Sequence, residues 1–345
     1  MRRITTASLA LTLAATGALT GAAATLAQDG SDLKIGHVTD VGQLEDKSFN
    51  EFTYAGVLDA AEALGAESDV IITEEVADYK DNMQAFVNEG FDIIVTPGSL
   101  IGTATYEMAL ENPDIYFVGI DQDTSTDETP NYQGVVFRED EAGYLAGIVA
   151  ATITESDVIG AVGGTMLPAV VRYIDGYING ARSINPDIEV LTQEASPQPE
   201  IGFNTPDLGG EIASQMIDLG ADVIFQVAGG TGVGVLEATC EAGGYGIGVD
   251  VDQTLSLPPQ AAECVVTSAE KKLQDTTSSV IESIADGTFE GGVKTYDVAS
   301  VPPAIALSPF QETYADLLTP ELQEALDAAT AGFIDGSIDP GAKPE

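Results

Sequence analysis

The chain has no tryptophan, one histidine and only two cysteines among its 345 residues. Transition-metal and thiol sites depend on clusters of histidine and cysteine, so this composition argues against both. Basic residues are also scarce, with 12 lysines and arginines against 56 aspartates and glutamates. The resulting net charge of −44 repels nucleic acid and anionic membrane surfaces. We therefore predict no metal, no cofactor and no nucleic-acid partner.

Beyond residue 27 the chain lacks any uninterrupted apolar run of the roughly 18 residues that suggest a membrane span. The N-terminus combines Arg2 and Arg3 with a small, apolar stretch that ends at Thr25-Leu26-Ala27. This pattern predicts a cleaved export signal over 1–27, with an uncleaved anchor as the alternative. Since no cysteine near Gln28 could carry a lipid, we expect a mature protein that is free in the periplasm.

From Leu33 onward, short apolar runs alternate with amphipathic stretches. Strands are predicted over 33–39, 70–73, 91–96, 115–120, 134–137, 158–162, 189–192, 222–227 and 246–249. Helices are predicted over 51–64, 79–89, 102–110, 141–153, 169–184, 208–219 and 232–241. Continuous Val/Ile runs are typical of parallel strands covered on both faces, and strand–helix alternation implies a doubly wound sheet. A helix, an apolar strand and a glycine turn recur at 81–99 and 208–231, which predicts two α/β lobes.

Ligands of such sheets bind beyond the carboxyl ends of the strands. The residues at these ends are three carboxylates and several glycines, namely Asp40, Thr96–Ser99, Asp121, Gly229–Gly230 and Asp250. Their convergence at one edge of the sheet predicts a cleft that binds a ligand without catalysis.

The segment 40–50, DVGQLEDKSFN, carries the densest signal in the chain. Ser48 is expected to cap the following helix and to place Phe49 at its start. Asn50 offers both hydrogen-bond donors and acceptors. A structural role remains open, in which Phe49 is a core aromatic and Asp46 a surface acid.

Cys240 lies late in a predicted helix, and Cys264 opens a predicted strand. A disulfide and two buried free thiols are both open, since the predicted export compartment permits oxidation. The glycine-rich segment 229–234 lacks the Gly-Lys-Ser/Thr ending of a phosphate-binding loop. His37, within the first strand, is expected to be a structural residue.

Five segments in order resemble one known family: TDVGQLEDKSFN at 39–50, GYLAG at 143–147, VAGGTGVGVLEA at 227–238, GVDVDQ at 248–253 and VTSAEKK at 266–272. The chain resembles the basic membrane protein (PnrA-like) family of nucleoside receptors of ABC importers. The resemblance extends over about 33–289. It implies a two-lobed type I periplasmic binding protein fold, in which each lobe is a doubly wound parallel sheet.

On this resemblance, lobe 1 comprises 33–138 and 268–290, and lobe 2 comprises 139–267 and 291–345. The chain would then cross between the lobes near Arg138, Thr267 and Gly291. The implied mechanism is closure of the two lobes about these crossings around a purine nucleoside.

The resemblance also implies a role for each site residue. Phe49 and Phe203 would stack on the two faces of the base, and Asp40 and Asn50 would address its edge. The sugar hydroxyls would be held by three residues, Asp250, Lys271 and the turn at Gly229. Asp121 corresponds to another acid of the cleft.

The partners implied are a membrane permease and a separate ATPase, with the receptor itself a monomer. The chain departs from many members of the family because it lacks the acceptor cysteine of a lipoprotein. Because Lys271 and Lys272 are adjacent, the resemblance leaves open which of the two lysines binds the sugar. Two other functions remain as alternatives: a secreted nucleoside hydrolase, and a sensory receptor of the same fold without transport.

Overall fold

The computed structural model describes residues 33–124 and 129–344, and the predicted export signal over 1–27 lies outside the described residues. The elements up to the first lobe crossing are β1 (Lys34–Val38), α1 (Phe49–Leu64), β2 (Glu67–Ile71), α2 (Tyr79–Glu89), β3 (Ile93–Pro97), α3 (Gly102–Glu111), β4 (Tyr116–Ile120) and β5 (Tyr132–Phe137). Short 3₁₀ turns occur at Val76–Asp78 and Glu312–Leu317.

The elements after the first crossing are α4 (Glu139–Ile153), β6 (Val158–Gly163), α5 (Pro168–Ile184), β7 (Glu189–Glu194), α6 (Pro199–Gly202), α7 (Pro206–Asp218), β8 (Val223–Val227), α8 (Gly229–Glu241), β9 (Tyr245–Asp250), α9 (Gln253–Ser256), α10 (Pro259–Ala262), β10 (Val265–Lys271), α11 (Leu273–Ala285), β11 (Gly292–Tyr296), β12 (Ile305–Leu307) and α12 (Pro320–Asp335). None of the helices within residues 33–124 and 129–344 is both long and apolar enough to cross a membrane.

The strands form two six-stranded sheets, one in each lobe. The first has the order β11-β5-β4-β3-β1-β2, and the second has the order β12-β10-β9-β8-β6-β7. Strand pairs are parallel except β10–β12, which is antiparallel. The central strands β3 and β8 are buried along their whole length, because helices cover both faces of each sheet. The predicted pair of doubly wound parallel sheets is confirmed.

The strand pairing places two of the three lobe crossings at other residues than the sequence predicted. At Arg138 the chain passes from β5 of the first sheet to α4, which packs on the second lobe. The second crossing lies at Lys272 rather than at Thr267, because β10 continues to Lys271 in the second sheet. The third lies beyond Tyr296 rather than at Gly291, because β11 pairs with β5 in the first sheet. Lys271 therefore belongs to the second lobe.

The two cysteines form a disulfide, which settles the alternative that the sequence left open. The bond joins the last turn of α8 to the residue before β10. It closes a loop with a sequence separation of 24 residues. A loop of this length restricts the unfolded chain and stabilises the fold by about 3 kcal/mol.

Helices α4 and α5 approach each other closely through glycines. A Cβ atom would lie 2.0 Å from the Tyr173 carbonyl oxygen if added at Gly143, and 2.1 Å from the Asp140 carbonyl oxygen if added at Gly176. Gly147 and Gly180 make similar backbone contacts further along the two helices. These four glycines let the backbones of the two helices touch, which fixes α5 relative to the first turn of α4.

Replacing Gly176 by Ala is therefore expected to lower the free energy of unfolding by about 2 kcal/mol, because the new methyl group overpacks the helix crossing. The matched control is Gly210→Ala in α7, where the nearest atom lies 3.4 Å from the new Cβ. There the higher helix propensity of alanine should leave stability unchanged or raise it by up to about 1 kcal/mol. Urea unfolding of both variants checks this, and equal effects would contradict the packing account.

Candidate functional site

A cavity between the two lobes lies at the carboxyl ends of the strands and is lined by all eight residues predicted for the site. The first lobe contributes Asp40, Phe49, Asn50 and Asp121 to its wall, and the second lobe contributes Phe203, Gly229, Asp250 and Lys271. The sequence did not predict several further lining residues: Asp46, Tyr173, Asn204, Leu167, Val170 and Pro199. The strand-end residues thus meet as the parallel topology requires.

The start of α1 is capped by Asp46, not by Ser48 as expected from the sequence. The Asp46 carboxylate accepts backbone N–H bonds from Ser48, Asn50 and Glu51 at 2.9–3.2 Å. It also accepts a bond from Asn50 Nδ2 at 3.1 Å. Asp46 is therefore a buried structural acid rather than a surface residue. Because the amide nitrogen of Asn50 is held in this way, Asn50 Oδ1 remains buried without a hydrogen-bond partner.

The Ser48 side chain bonds to the other lobe, which explains why it does not cap α1. Its Oγ donates to Asp250 Oδ2 at 2.6 Å. Next to it, the Lys47 carbonyl oxygen accepts a hydrogen bond from Ser256 Oγ of the second lobe at 3.0 Å. The loop before α1 is thus one of the places where the lobes are joined by hydrogen bonds.

Phe49 and Phe203 present half-buried rings to the cavity from opposite lobes. Phe49 is the first residue of α1, and Phe203 directly follows α6. The Phe203 ring packs closely on the backbone of Gly164, where an added Cβ would lie 2.3 Å from its Cε1 atom. Gly229 also contacts this ring, and its φ of 52° favours glycine. Gly164 thus leaves the space that the Phe203 ring occupies, whereas Gly229 is favoured by its backbone conformation.

The Lys271 ammonium group is buried among carboxylates of both lobes. Its Nζ lies 2.5 Å from Asp121 Oδ2, 3.4 Å from Glu139 Oε1 and 3.7 Å from Asp250 Oδ1. It also lies 4.7 Å from the centre of the Phe49 ring, within the range of a cation–π contact. Burial lowers the pKa of Lys271, but the three carboxylates outweigh burial and raise the pKa above its ordinary value. The ammonium group is charged at neutral pH.

Glu139 is a member of this cluster that the sequence did not reveal. It is fully buried at the start of α4, and its Oε2 accepts a bond of 2.6 Å from Arg172 Nε of α5. Burial raises the pKa of Glu139, while the neighbouring Lys271 and Arg172 favour its charged form. The acidic run 139–141 directly after a strand was the available signal, but such a run is usually solvated.

Asp121 and Asp250 occupy corresponding places at the ends of β4 and β9. Their φ angles of 57° and 65° are in the left-handed region, which non-glycine residues adopt at a cost of about 1–3 kcal/mol. This backbone turns both carboxylates toward Lys271. Asp121 Oδ1 has no hydrogen-bond partner. It forms, with Asn50 Oδ1, a pair of acceptors that a ligand could satisfy.

Asp40 is oriented by hydrogen bonds that fall on one of its two oxygens. Oδ1 accepts a bond of 2.7 Å from the Val41 N–H and a bond from the Tyr79 hydroxyl group. Oδ2 lies beside Gly98, where an added Cβ would be 2.1 Å away. Burial raises the pKa of Asp40 to about 6, while the bond from Tyr79 opposes that rise. Asp40 is therefore mostly ionised at neutral pH, and these bonds to Oδ1 leave Oδ2 available as an acceptor.

The electrostatics of the cavity suit a neutral ligand with hydrogen-bond donors. Lys271 is the one basic residue among its described lining residues, and its ammonium group is already surrounded by carboxylates. The aliphatic side chains in the wall and the two phenylalanine rings favour an apolar, flat surface on the ligand. Within residues 33–124 and 129–344, no group of three or more His, Cys, Asp or Glu residues is placed to hold a metal ion.

Comparison with known proteins identifies the family. The profile of the family described as ABC transporter substrate-binding protein PnrA-like matches residues 34–300. The chain belongs to this family. Nucleoside-binding protein BmpA of Lactococcus lactis is 28% identical over 98% of this chain and 99% of that protein. Basic membrane protein A of Borreliella burgdorferi is 31% identical over 76% of both chains.

The fold agrees with this assignment to the PnrA-like family. A crystal structure of an ABC transporter solute-binding protein from Aeropyrum pernix matches 89% of this chain and 92% of its own, with a TM-score of 0.79 and 24% identity. Such a likeness shows the fold alone. The two parallel-sheet lobes are those of a type I periplasmic binding protein, as the family resemblance implied.

The structure distinguishes the two lysines of the doublet in this PnrA-like chain. Lys271→Met is expected to lower the free energy of unfolding by about 3 kcal/mol, because it leaves three buried carboxylates without their shared cation. Lys272→Met is the matched control, since the Lys272 side chain is partly exposed and pairs with Glu270 alone. Its loss should cost less than about 1 kcal/mol. Chemical denaturation at pH 7 checks this, and a larger effect at Lys272 would contradict the assignment.

Proposed function

We propose that this chain is the extracytoplasmic receptor of an ABC importer and binds a purine nucleoside in the cavity between its lobes. The observation that carries the proposal is the pair of rings, Phe49 and Phe203, that reach one cavity from opposite lobes beside unpartnered hydrogen-bond acceptors. Membership of a substrate-binding family and a relative named as nucleoside-binding support it.

The base lies between the two phenylalanine rings in this proposal. Each stacked face adds about 0.5–1.5 kcal/mol beyond the burial of its area. The edge of the base donates its N–H groups to Asp40 Oδ2 and Asn50 Oδ1, which their neighbours leave available as acceptors. A purine satisfies both demands, because it combines two flat apolar faces with a polar rim.

The sugar lies toward the Lys271 cluster. Asp250 and Asp121 accept hydrogen bonds from its hydroxyl groups, and Lys271 donates to a hydroxyl oxygen. The turn at Gly229 contributes backbone to the cavity wall beside Phe203. A site with buried groups built to bond hydroxyls rejects analogues that lack them, since those groups are then left unpaired.

Closure joins the lobes through contacts that already cross between them. The Ser48–Asp250 hydrogen bond and the Lys271–Asp121 ion pair both cross between them. The closed receptor, a monomer free in the periplasm, then docks on a membrane permease driven by a separate ATPase.

A hydrolase of nucleosides would use such acids to hold a cation or activate water. Here the acids surround an ammonium group instead, which favours binding.

Phe49→Ala is expected to weaken binding of inosine at least about tenfold, because it removes one stacked face and its buried area. The control is Phe289→Ala, which truncates a partly buried ring of the same lobe outside the cavity wall. Calorimetric titration of the mature chain with inosine, adenosine and their bases measures the effect.

Two outcomes would overturn the proposal. One is that no purine, with or without its sugar, binds to the wild-type chain. The other is release of free base and ribose on incubation with inosine, which would show a hydrolase. A wild-type affinity in Phe49→Ala would contradict the stacking role alone.

A further inference from the structure

A buried chain of alternating charges leads from the interior of the second lobe to the first. Arg172 Nε donates to Glu139 Oε2 at 2.6 Å, and Glu139 Oε1 lies 3.4 Å from Lys271 Nζ. Lys271 in turn pairs with Asp121 of the first lobe at 2.5 Å. Both Glu139 and Arg172 are almost wholly buried, with exposures of 0% and 5%.

Neither Glu139 nor Arg172 is among the residues that line the cavity, whereas the other two carboxylates around Lys271 are. A ligand hydroxyl therefore competes with Lys271 for Asp121 and Asp250 but not for Glu139. Glu139 is the one acid of the cluster that stays with the ammonium group when the ligand binds. Arg172 fixes Oε2 of Glu139 and leaves Oε1 for Lys271.

The pair is not required to hold α4 and α5 together. The four glycines at 143, 147, 176 and 180 already bring the two backbones into contact. Buried ion pairs are also poor stabilisers, because the cost of removing both charges from water offsets their attraction. A role in positioning another group explains two charges at this depth better than a role in stability does.

Helix α5 contributes to both halves of the polar cluster. Arg172 holds Glu139, and the next residue, Tyr173, directs its hydroxyl group to Asp250 Oδ1 at 3.4 Å. Two consecutive residues of α5 thus position two groups of the site. Arg172 positions the Lys271 ammonium group through Glu139, and Tyr173 positions the Asp250 carboxylate that faces it. The GYLAG segment of α4, at 143–147, provides the close helix contact that keeps α5 in register.

We infer that Glu139 and Arg172 are positioning residues that hold Lys271 for the sugar of the ligand, while the base is bound independently of them. This inference rests on the proposed function. It adds that recognition of the sugar depends on the buried contact between α4 and α5, whereas recognition of the base does not.

The test is Glu139→Gln, which preserves the size of the side chain and removes its charge. Inosine binding should weaken about tenfold, because Lys271 loses the carboxylate that fixes it, while hypoxanthine binding should stay within about twofold of wild type. The ratio of the two affinities is the readout, since a general loss of fold would weaken both ligands equally. Calorimetric titration with inosine and hypoxanthine measures it.

Glu141→Gln is the matched control. Glu141 is equally buried in the same helical turn but pairs with Arg138 instead of with Lys271. It should leave the inosine-to-hypoxanthine ratio unchanged. An equal loss of both ligands in Glu139→Gln, or the same ratio in both variants, would overturn the positioning role.

A crystal structure of each variant tests the inference without a ligand. In Glu139→Gln, Lys271 Nζ should lie more than 1 Å from its wild-type position relative to Asp250, whereas in Glu141→Gln it should not move. An unmoved Lys271 in Glu139→Gln overturns the inference whatever the ligand. If the lysine moves but wild type binds no purine, the positioning holds and the proposed function alone fails.

Discussion

The ammonium group of Lys271 lies where the two lobes meet, and the arrangement of the site depends on it. A cation with an exposure of 2% needs partners, and the chain supplies carboxylates from the ends of two strands and from the start of one helix. Those carboxylates repel one another without the cation. The lysine thus lets several acids lie beside a cavity whose walls are otherwise largely apolar. Because these acids outnumber the one ammonium group, the cavity is unsuited to an anionic ligand.

The parallel topology places these groups. Each lobe presents a residue with left-handed backbone at the end of an equivalent strand, Asp121 after β4 and Asp250 on β9. Each lobe also contributes one phenylalanine ring to the cavity wall. Two copies of one design therefore face each other across a cleft. This explains how opposite faces of a flat ligand, and hydrogen bonds to its rim, come from separate parts of the chain.

The sequence predicted the strands and helices before residue 250 well, because buried parallel strands are continuous apolar runs that alternate with helices. It did not predict β11, whose GVKTY sequence forms a half-exposed edge strand without such a run, and the third lobe crossing was misplaced for this reason. The resemblance to the family named eight site residues, and all eight line one cavity. Asp46, Glu139 and Arg172 were missed since a charge in a sequence indicates solvent exposure, and their burial depends on tertiary partners.

The most direct test of the account is the distance between the lobes, measured by electron resonance on spin labels at Asp81→Cys and Asp207→Cys. Both residues are exposed. Asp81 lies in the first turn of α2 in the first lobe, and Asp207 lies in the first turn of α7 in the second lobe. Both helices begin on the side of their sheet that faces the cavity. The native cysteines are paired in the disulfide, so the labels react only at the new thiols. Inosine should shorten and narrow the distance distribution, and inosine monophosphate should leave it unchanged, because Lys271 has no capacity for a phosphate. An equal response to both, or no response to any purine nucleoside, would contradict the account.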